Sequence, residues 1–267
     1  MVRCWGRMSL VAAMILGGCG PSATKVEGTG APPSVTGGCT GGPSQAAVSV
    51  LWENPRAASG NAQLPFGSAL SSAWAVGASL SGLRGNCLVD TGSFRVVSDD
   101  IYPSSIAVAN STNLMYPPDR PEFRQLASVW WASSAQKMVS SLGADFSGFA
   151  SVDVIAHCAL SSNAYFSPTY REICLGYKSL GGGKYVWASD DGDVVVHETG
   201  HALNHELAST SALNSTGEAG ALDEAIADYW ALTYFGNSKI GEGFLAALGA
   251  SLVRDAAASH QYPDDMS

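Results

Sequence analysis

Two histidines and a glutamate stand in the order His-Glu-x-x-His, as His197, Glu198 and His201. On an α-helix, residues four positions apart lie on one face, so both imidazoles can bind a single metal ion. Glu198 would then lie beside that ion, where a carboxylate can take a proton from water activated by the metal. The pattern therefore predicts a hydrolytic zinc site. A buried amphipathic helix with two hydrogen-bonded histidines is the alternative.

A catalytic zinc site needs a third protein ligand and one position left for water. The Ala-rich segment over residues 220–230 is predicted to be helical and carries Glu224 and Asp228 on one face, opposite Leu222 and Tyr229. Glu224 can complete a site of two histidines and one glutamate, and Asp228 can accept the free ring N–H of a ligand histidine. The alternative is an ordinary pair of carboxylates that faces solvent.

Three other side chains near the motif could serve as the third ligand. His205 lies one turn beyond His201 and could approach the metal only if the helix broke, so we expect it on the helix surface. Glu206 and Glu218 fall in a predicted loop region and are less well placed than Glu224.

The surrounding sequence predicts the elements that must position these ligands. Apolar residues 194–196 and 202–203 flank the histidines and would bury the metal-binding helix. A helix is predicted from Pro121 to about Leu142. Runs with β character occupy residues 47–51, 94–97, 152–156 and 173–177. Because strands precede the metal-binding helix and helices follow it, we expect an α+β fold with a β-rich N-terminal part and a mixed sheet.

The composition excludes some classes of partner. The chain has 267 residues, a net charge of −9, 46% hydrophobic residues and 14% charged residues. These values are typical of a well-buried globular body. No basic stripe is present, so nucleic acid is not an expected partner. No run after the N-terminal segment is long and apolar enough to span a membrane.

The first 19 residues predict export. Arg3 and Arg7 precede an apolar run over residues 8–16, which is typical of a secretory signal, and the stretch ending in Cys19 resembles a lipoprotein box. Processing would leave Cys19 acylated, so that a lipid anchor alone attaches the protein to the membrane. We therefore expect an outer-membrane lipoprotein that faces the periplasm or the cell surface. An ordinary signal peptide cleaved nearby is the alternative.

The remainder divides into a tether and a folded region. Residues 20–45 are rich in Gly, Pro, Ser and Thr and predict a flexible tether, whereas residues 46–267 predict the metal-binding globular region.

Four cysteines remain in the exported part of the chain. In an oxidising compartment they suggest two disulfides, for which three pairings are possible. The four are Cys39, Cys87, Cys158 and Cys174. We favour Cys158 with Cys174, because both flank the stretch around Asn163, and this leaves Cys39 with Cys87. Zinc ligation by thiolates is the rival, but Cys-x-x-Cys spacing is absent.

The stretches His-Glu-Thr-Gly-His at residues 197–201 and Asp-Glu-Ala-Ile-Ala-Asp at residues 223–228 together resemble the thermolysin-type metallopeptidases, within the thermolysin and fungalysin group. The resemblance implies a thermolysin-like N-terminal lobe and a zinc-dependent endopeptidase that acts on extracytoplasmic peptides or proteins. Asn163-Ala164-Tyr165-Phe166 is similar to an edge strand that pairs with substrate in that family. The resemblance thus implies that Asn163 and Ala164 bind peptide main chain. A turn residue is the alternative for Asn163.

The same resemblance bears on a second cofactor, calcium. Asp193 matches a calcium-ligand position of thermolysin, and Glu242 resembles another. Phe235 and Asn237 stand where further carboxylates would be expected, so a calcium site here would carry fewer charges. The alternative for Asp193 is a first-turn residue favoured by the helix dipole.

The resemblance covers about residues 46–267 and implies that most of the C-terminal lobe is absent. Ala212 stands where the family has a tyrosine that assists the oxyanion, and His260 does not match the histidine of that lobe. Each lost oxyanion donor typically lowers the rate by about 10²–10³. The alternative function is therefore a catalytically inactive, metal-binding surface lipoprotein. A zinc hydrolase that acts on a non-peptide amide is a third hypothesis.

Overall fold

The computed structural model of the chain describes residues 41–208, 217–249 and 253–258. The predicted signal peptide, most of the predicted tether, Cys19, Cys39, Ala212 and His260 lie outside these residues.

Strands and helices alternate irregularly along the chain, which confirms the α+β class. The strands are β1 (Gln45–Leu51), β2 (Ala75–Ser81), β3 (Phe94–Val96), β4 (Asn113–Leu114), β5 (Val152–Ile155), β6 (Ala164–Ser167), β7 (Glu172–Leu175), β8 (Tyr177–Gly181), β9 (Lys184–Trp187), β10 (Lys239–Ile240) and β11 (Arg254–Asp255). The helices are α1 (Pro55–Ser59), α2 (Pro121–Ser141), α3 (Gly192–Leu207), α4 (Gly217–Phe235) and α5 (Phe244–Leu248), with 3-10 turns at Ser72–Trp74 and Ala188–Asp190.

The first sheet has the order β2-β1-β4, with β1 antiparallel to β2 and parallel to β4. Early in β1, buried Ala46 and Val48 alternate with exposed Gln45 and Ala47, and the strand is buried on both faces from Val48 onward. Gly42 and Ser44 already form backbone hydrogen bonds with the loop at Gly82–Gly85. The folded region therefore begins a few residues before the predicted boundary at residue 46.

The second sheet is mixed, as predicted, and has the order β3-β5-β7-β6. Strands β3, β5 and β7 run parallel, and β6 is antiparallel to β7 and forms the edge. The run predicted as one strand over residues 173–177 is divided at Gly176, where a side chain would collide with the carbonyl oxygens of Leu160 and Asn163. This division allows β8 and β9 to leave the sheet as a separate hairpin.

Helix α2 begins at Pro121, as predicted, because proline fixes a helical φ where no N–H partner is needed. It ends one residue before Leu142, and Gly143 then takes a left-handed φ of 102°. Its buried face carries Phe123, Leu126 and Trp131 into the core, where α2 packs against α3 and β1. This core holds α3, the predicted metal-binding helix, in place from behind.

Helices α3 and α4 pack closely because small residues meet at their crossing. A methyl group on Gly200 would lie 2.8 Å from the Cα atom of Ala227. The buried face of α4 comprises Ala227, Ala231 and Phe235, which follow one another at helical spacing. Leu222 and Tyr229, on the other side, are 53% and 56% exposed. Glu224 and Asp228 are only partly exposed and share the inward side of α4 with Ala227, whereas Leu222 and Tyr229 face solvent.

The disulfide predicted between Cys158 and Cys174 is confirmed, and it joins the loop after β5 to β7. Cys87 is buried and disulfide-bonded, while its predicted partner Cys39 lies outside the described residues. Among the helices that are described, none combines the length and the apolar character needed to cross a membrane.

Candidate metal centre

Helix α3 and the facing helix α4 bring three potential ligands together. His197 Nε2 lies 3.1 Å from His201 Nε2, and the Glu224 carboxylate lies 3.2 Å from the first and 3.5 Å from the second. Tetrahedral zinc bound at its usual distances of about 2.0–2.1 Å holds its ligand atoms about 3.3 Å apart. The three side chains therefore fit a zinc ion. Within the described ranges, this is the one group of at least three such residues close enough to hold a metal.

The other nitrogen of each imidazole is hydrogen-bonded to a carboxylate. His197 Nδ1 lies 2.8 Å from Asp228 Oδ1, and His201 Nδ1 lies 2.7 Å from Asp223 Oδ2. Such partners fix the tautomer and direct Nε2 of each ring towards a metal. Asp228 occupies the position predicted for it. Asp223 was not predicted from the sequence. A ligand histidine usually donates its second ring N–H to a carboxylate, so His201 required an acceptor of its own near Glu224.

Asp223 is itself held by neighbouring polar groups. Asn204 Nδ2 donates to Asp223 Oδ1 over 2.9 Å, and Trp230 Nε1 donates to Asn204 Oδ1 over 3.0 Å. These bonds link α3 and α4 beside the ligands and orient His201.

Arg254 is a further charged residue that the sequence did not indicate. Its Nη2 atom donates to Asp228 Oδ1 over 2.5 Å and lies 3.3 Å from His197 Nδ1. Pairing of β11 with β10 returns the chain to the site and delivers this side chain. The guanidinium therefore supports Asp228 and places a positive charge beside the centre.

The ionisation of the three ligands shows that the centre favours positive charge. Burial alone would lower the pKa of His201, but hydrogen bonds to Asp223 and Glu224 raise it to about 10. For Glu224, burial alone would raise the pKa, but its bonds with His197 and His201 lower it to about 2. Burial alone would also lower the pKa of His197, but hydrogen bonds to Asp228 and Glu224 raise it overall. A metal cation would replace these protons, so binding should release them.

Glu198 lies next to these ligands and is 5% exposed. Burial raises its pKa, although the neighbouring histidines partly oppose this effect. Together with His197 and Ala164 it lines a recess of about 10 Å³, which is close to the size of one water molecule. A general base needs such a position, and that role of Glu198 stays a prediction.

The predicted substrate strand lies beside the same recess. Asn163 immediately precedes β6, and Ala164, the first residue of β6, lines the recess with Glu198. Asn163 accepts a backbone hydrogen bond from Gly176 through its carbonyl oxygen, while its side-chain Oδ1 is buried without a partner. The edge position of β6 is the one that strand addition requires.

The other acidic and histidine candidates lie apart from the three ligands. Helix α3 continues unbroken past His205, whose ring lies 6.0 Å from that of Phe166. The prediction that Glu206 and Glu218 lie in a loop is wrong. Glu206 belongs to α3 and pairs with Arg171 over 3.5 Å, and Glu218 lies in the first turn of α4. Both helices extend further than the sequence pattern indicated.

A second group of ionisable residues, here called the acidic cluster, comprises Glu53, Asp191, Asp193 and Glu242. Asp193 is fully buried, and neither of its carboxylate oxygens has a hydrogen-bond partner. Burial, followed by the charges of Asp191 and Glu53, raises the pKa of Asp193 to about 9. Burial also raises the pKa of Asp191 to about 7. Such a cluster needs protons or a bound cation to offset its charge.

The acidic cluster bears on the expected calcium ligands Asp193 and Glu242. The charge of Glu242 raises the pKa of Asp193 and of Glu53, so Glu242 interacts electrostatically with both carboxylates. Asn237 stands where the family resemblance would place a carboxylate. Its Nδ2 atom donates to Glu53 Oε1 over 2.5 Å. Glu53 itself was missed, because it lies far upstream in the chain and next to no motif.

No protein-family model matches the chain, and no curated protein matches it. The interpretation of the centre therefore depends on its own geometry and chemistry.

Proposed function

We propose that this protein is a zinc-dependent endopeptidase of the thermolysin type that hydrolyses peptide bonds of extracytoplasmic proteins. The observation that carries the proposal is the convergence of His197, His201 and Glu224 at tetrahedral spacing, with a carboxylate behind each imidazole. Two histidines and one glutamate form the ligand set of hydrolytic zinc sites that leave a position open. Sites built on packed helices hold their side chains more precisely than sites on loops do, which supports the proposal.

The metal, when bound, supplies a Lewis acid that polarises a carbonyl group and makes water more acidic. His197, His201 and Glu224 hold it, and Asp223 and Asp228 fix the two rings. Arg254 orients Asp228 through its hydrogen bond. Zinc fits the nitrogen-rich ligand set better than calcium does, because calcium prefers oxygen ligands.

Glu198 is the proposed general base. Its carboxylate accepts a proton from water as the water oxygen bonds to the peptide carbonyl carbon. The same proton then passes to the amide nitrogen as the carbon–nitrogen bond breaks. Burial raises the pKa of Glu198, and a pKa closer to the working pH suits a group that must both accept and donate.

The substrate is proposed to be an extended peptide. Strand β6 is the edge of its sheet and begins at the recess that Glu198 and His197 line. A peptide added to that edge would bond to main-chain groups at Asn163 and Ala164 and would place a carbonyl near the recess. This geometry favours a peptide over a compact non-peptide amide.

We also propose calcium as a second cofactor, at the acidic cluster. The carboxylates of Asp193, Glu53 and Glu242 offer oxygen ligands, which calcium prefers. Among the described residues their oxygens do not converge as those of the metal centre do, so calcium would have to draw these carboxylates together. The ion would then offset their charge beside the first turn of α3.

The remaining parts of the proposal concern location. Cys19 and the signal segment, both outside the described residues, would place the protein at the outer membrane, facing the periplasm or the cell surface. A lipid anchor would be its contact with the membrane, and peptide or protein substrates its partners.

One observation favours the alternative of an inactive metal-binding lipoprotein. Phe244 and Leu245 of α5, together with Arg254, close the recess beside His197 to about 10 Å³, which leaves little room for a substrate side chain. Substrate would have to displace these groups or bind beside them.

Glu198→Gln separates the two functions. We expect the variant to retain one zinc per chain, because Glu198 is no ligand, while cleavage of casein falls by about 10²–10⁴. Glu206→Gln, on the same helix and paired with Arg171, is the matched control and should keep full activity. Cleavage retained by Glu198→Gln would refute its role as base. A zinc-loaded wild-type protein without chelator-sensitive cleavage would establish the alternative.

A further inference from the structure

A cavity of about 490 Å³ lies next to the metal centre but includes none of its ligands. This volume is within the range of about 300–1,000 Å³ that small-ligand sites occupy. Phe244 lines both this cavity and the recess beside His197 and Glu198, so the two spaces share a wall.

Aromatic rings form much of the cavity lining. A methyl group on Gly67 would lie 2.9 Å from the side chain of Leu180, so the loop after α1 packs closely against the hairpin of β8 and β9. The two segments supply three of the rings, and two more come from elsewhere in the chain. The five are Phe66, Tyr102, Tyr185, Trp187 and Phe244.

The carboxylates of the lining leave little negative charge in the cavity. Asp190 forms a bidentate pair with Arg124 at 2.7 and 3.1 Å, so together they add no net charge. Asp191 is 1% exposed, its Oδ1 atom is buried, and its Oδ2 atom already accepts two backbone N–H groups. Asp119 and Lys184 are both exposed and carry opposite charges.

The remaining charge of the lining is Arg56, which has no acidic partner. The six other arginines in the described ranges each form an ion pair with a carboxylate. Arg56 instead donates from Nε to the carbonyl oxygen of Leu64 over 3.2 Å, and its Cζ atom lies 3.9 Å from the centroid of the Phe66 ring. No described residue accepts a hydrogen bond from its Nη atoms, which remain accessible. Two nitrogen atoms of a guanidinium already held in place are therefore left for a ligand.

The backbone at Arg56 is also fixed. Asn54 Oδ1 accepts the N–H groups of Arg56 and Ala57 at 3.0 and 3.1 Å, which caps α1 at its first turn. The carbonyl oxygen of Arg56 accepts the N–H group of Asn61 over 3.2 Å. Little conformational freedom would be lost when a ligand binds, which favours affinity.

We propose that this cavity binds a carboxylate attached to an apolar or aromatic group, with Arg56 as its cationic partner. The fork of a guanidinium matches the two oxygens of a carboxylate, and the aromatic rings provide a surface for the apolar group. The carboxylate can belong to the C-terminus of a peptide or to an acidic side chain. That the ligand is a peptide rests on the proposed peptidase function, because the cavity shares its wall at Phe244 with the recess of the metal centre.

Binding is tested on zinc-loaded full-length protein by calorimetry, with Nα-acetyl-phenylalanine and its amide as probes. The two differ only in the charged carboxylate. We expect the acid to bind at least about 10-fold more tightly, since hydrogen bonds between charged groups are the stronger ones. Equal binding of the two probes, or binding of neither, overturns the proposal.

Two substitutions locate the carboxylate. Arg56→Gln should reduce the preference for the acid to less than about 3-fold, because it removes the cationic partner. Arg84→Gln, at an exposed arginine outside the lining, is the matched control and should keep the preference. A preference that survives Arg56→Gln would place the carboxylate elsewhere, for example on the zinc ion, and would overturn the proposal.

A third substitution tests the aromatic wall and does not depend on the folding of Arg56→Gln. Tyr185 is 41% exposed, so Tyr185→Ala should leave the fold intact. It should weaken binding of the acid and of the amide alike, through loss of the surface for the phenyl ring. Unchanged binding of both probes would show that they bind outside this cavity.

Further probes identify the source of the carboxylate. Tighter binding of Nα-acetyl-phenylalanine than of Nα-acetyl-glutamate amide supports a peptide C-terminus, and the reverse order supports an acidic side chain. Displacement of either probe by inorganic phosphate at a lower concentration would identify a phosphate site and contradict the proposal. Because binding is measured without cleavage, a protein that prefers the acid but does not digest casein would retain this site while refuting the peptidase function.

Discussion

Helix α3 carries the metal centre and part of the acidic cluster about one turn apart, and the two groups balance their charges differently. At the metal centre, each imidazole is paired with carboxylates, and the carboxylates in turn bond to histidines or to Arg254. In the acidic cluster, Asp193 faces other carboxylates, and its oxygens lack partners.

The difference shows how a site can be prepared for a cation. At the metal centre, neighbouring carboxylates raise the pKa of His197 and of His201, so protons on these rings can stand in for the cation. The acidic cluster has no cationic side chain of this kind among the groups that shift its pKa values, so it retains protons itself. A substitution that removes a carboxylate should therefore weaken metal binding at the metal centre. At the acidic cluster the same kind of substitution should stabilise the fold.

The largest effect is expected from Glu224→Gln, which removes the charged third ligand. Zinc affinity should fall by more than about 100-fold, because loss of an outer partner alone costs about 10–100-fold. Metal content after dialysis against a weak chelator measures the change, with Glu218→Gln in the first turn of α4 as the control. Retention of stoichiometric zinc would remove Glu224 from the ligand set.

Asp223→Asn and Asp228→Asn test the outer partners. Each should weaken zinc binding by about 10–100-fold while both histidines remain, since the amide holds the ring less firmly. Competition with a chromophoric chelator gives the affinities, and Asp145→Asn in an exposed loop serves as control. If Asp223→Asn binds zinc normally, the hydrogen bond to His201 has no role in metal binding.

Gly200→Ala tests the close approach of α3 and α4. The added methyl group would lie 2.8 Å from the Cα atom of Ala227, so α4 must shift and move Glu224 with it. Overpacking of this kind typically lowers the free energy of unfolding by about 1–3 kcal/mol. Urea denaturation measures the loss, and Gly148→Ala, which meets nothing within 4 Å, is the control. Unchanged stability would show that the helix contact is not tight.

The smallest effect concerns the acidic cluster and its dependence on pH. The unfolded chain releases the protons of Asp191 and Asp193 near pH 3.8, whereas the folded protein retains them to about pH 7 and 9. The folded state binds more protons in this window, so metal-free protein should lose stability as the pH rises from about 4 to 9. The fold should therefore be less stable at pH 8.5 than at pH 5.

Asp193→Asn isolates this effect from the histidines, which titrate in both proteins. At pH 8.5 without metal, the variant should melt about 2–4 °C above wild type, which corresponds to about 1 kcal/mol in a chain of this size. Excess calcium should raise the melting temperature of wild type more than that of the variant. A variant less stable than wild type under both conditions would refute a repulsive cluster.

The metal ligands could be predicted from sequence because their spacing is local. His197 and His201 are four apart on one helix, and Glu224 and Asp228 repeat that spacing on the next. The helix at Pro121 and the strands at residues 94–97 and 152–156 likewise carry local signals. Which side of α4 packs against α3 was not predicted: Leu222 and Tyr229 are exposed, and small alanines form the packed face.

The sequence by itself determined which residues could bind a metal and on which helical faces they lie, because helical periodicity depends only on the order of residues. Tertiary structure alone decided which distant groups joined them. It brought Asp223 to His201, Arg254 to Asp228, and Glu53 to Asp193. Such contacts depend on how helices and strands pack. The contact of Gly200 with Ala227, for example, sets the distance between α3 and α4. No local pattern encodes a neighbour that only the folding of the whole chain supplies.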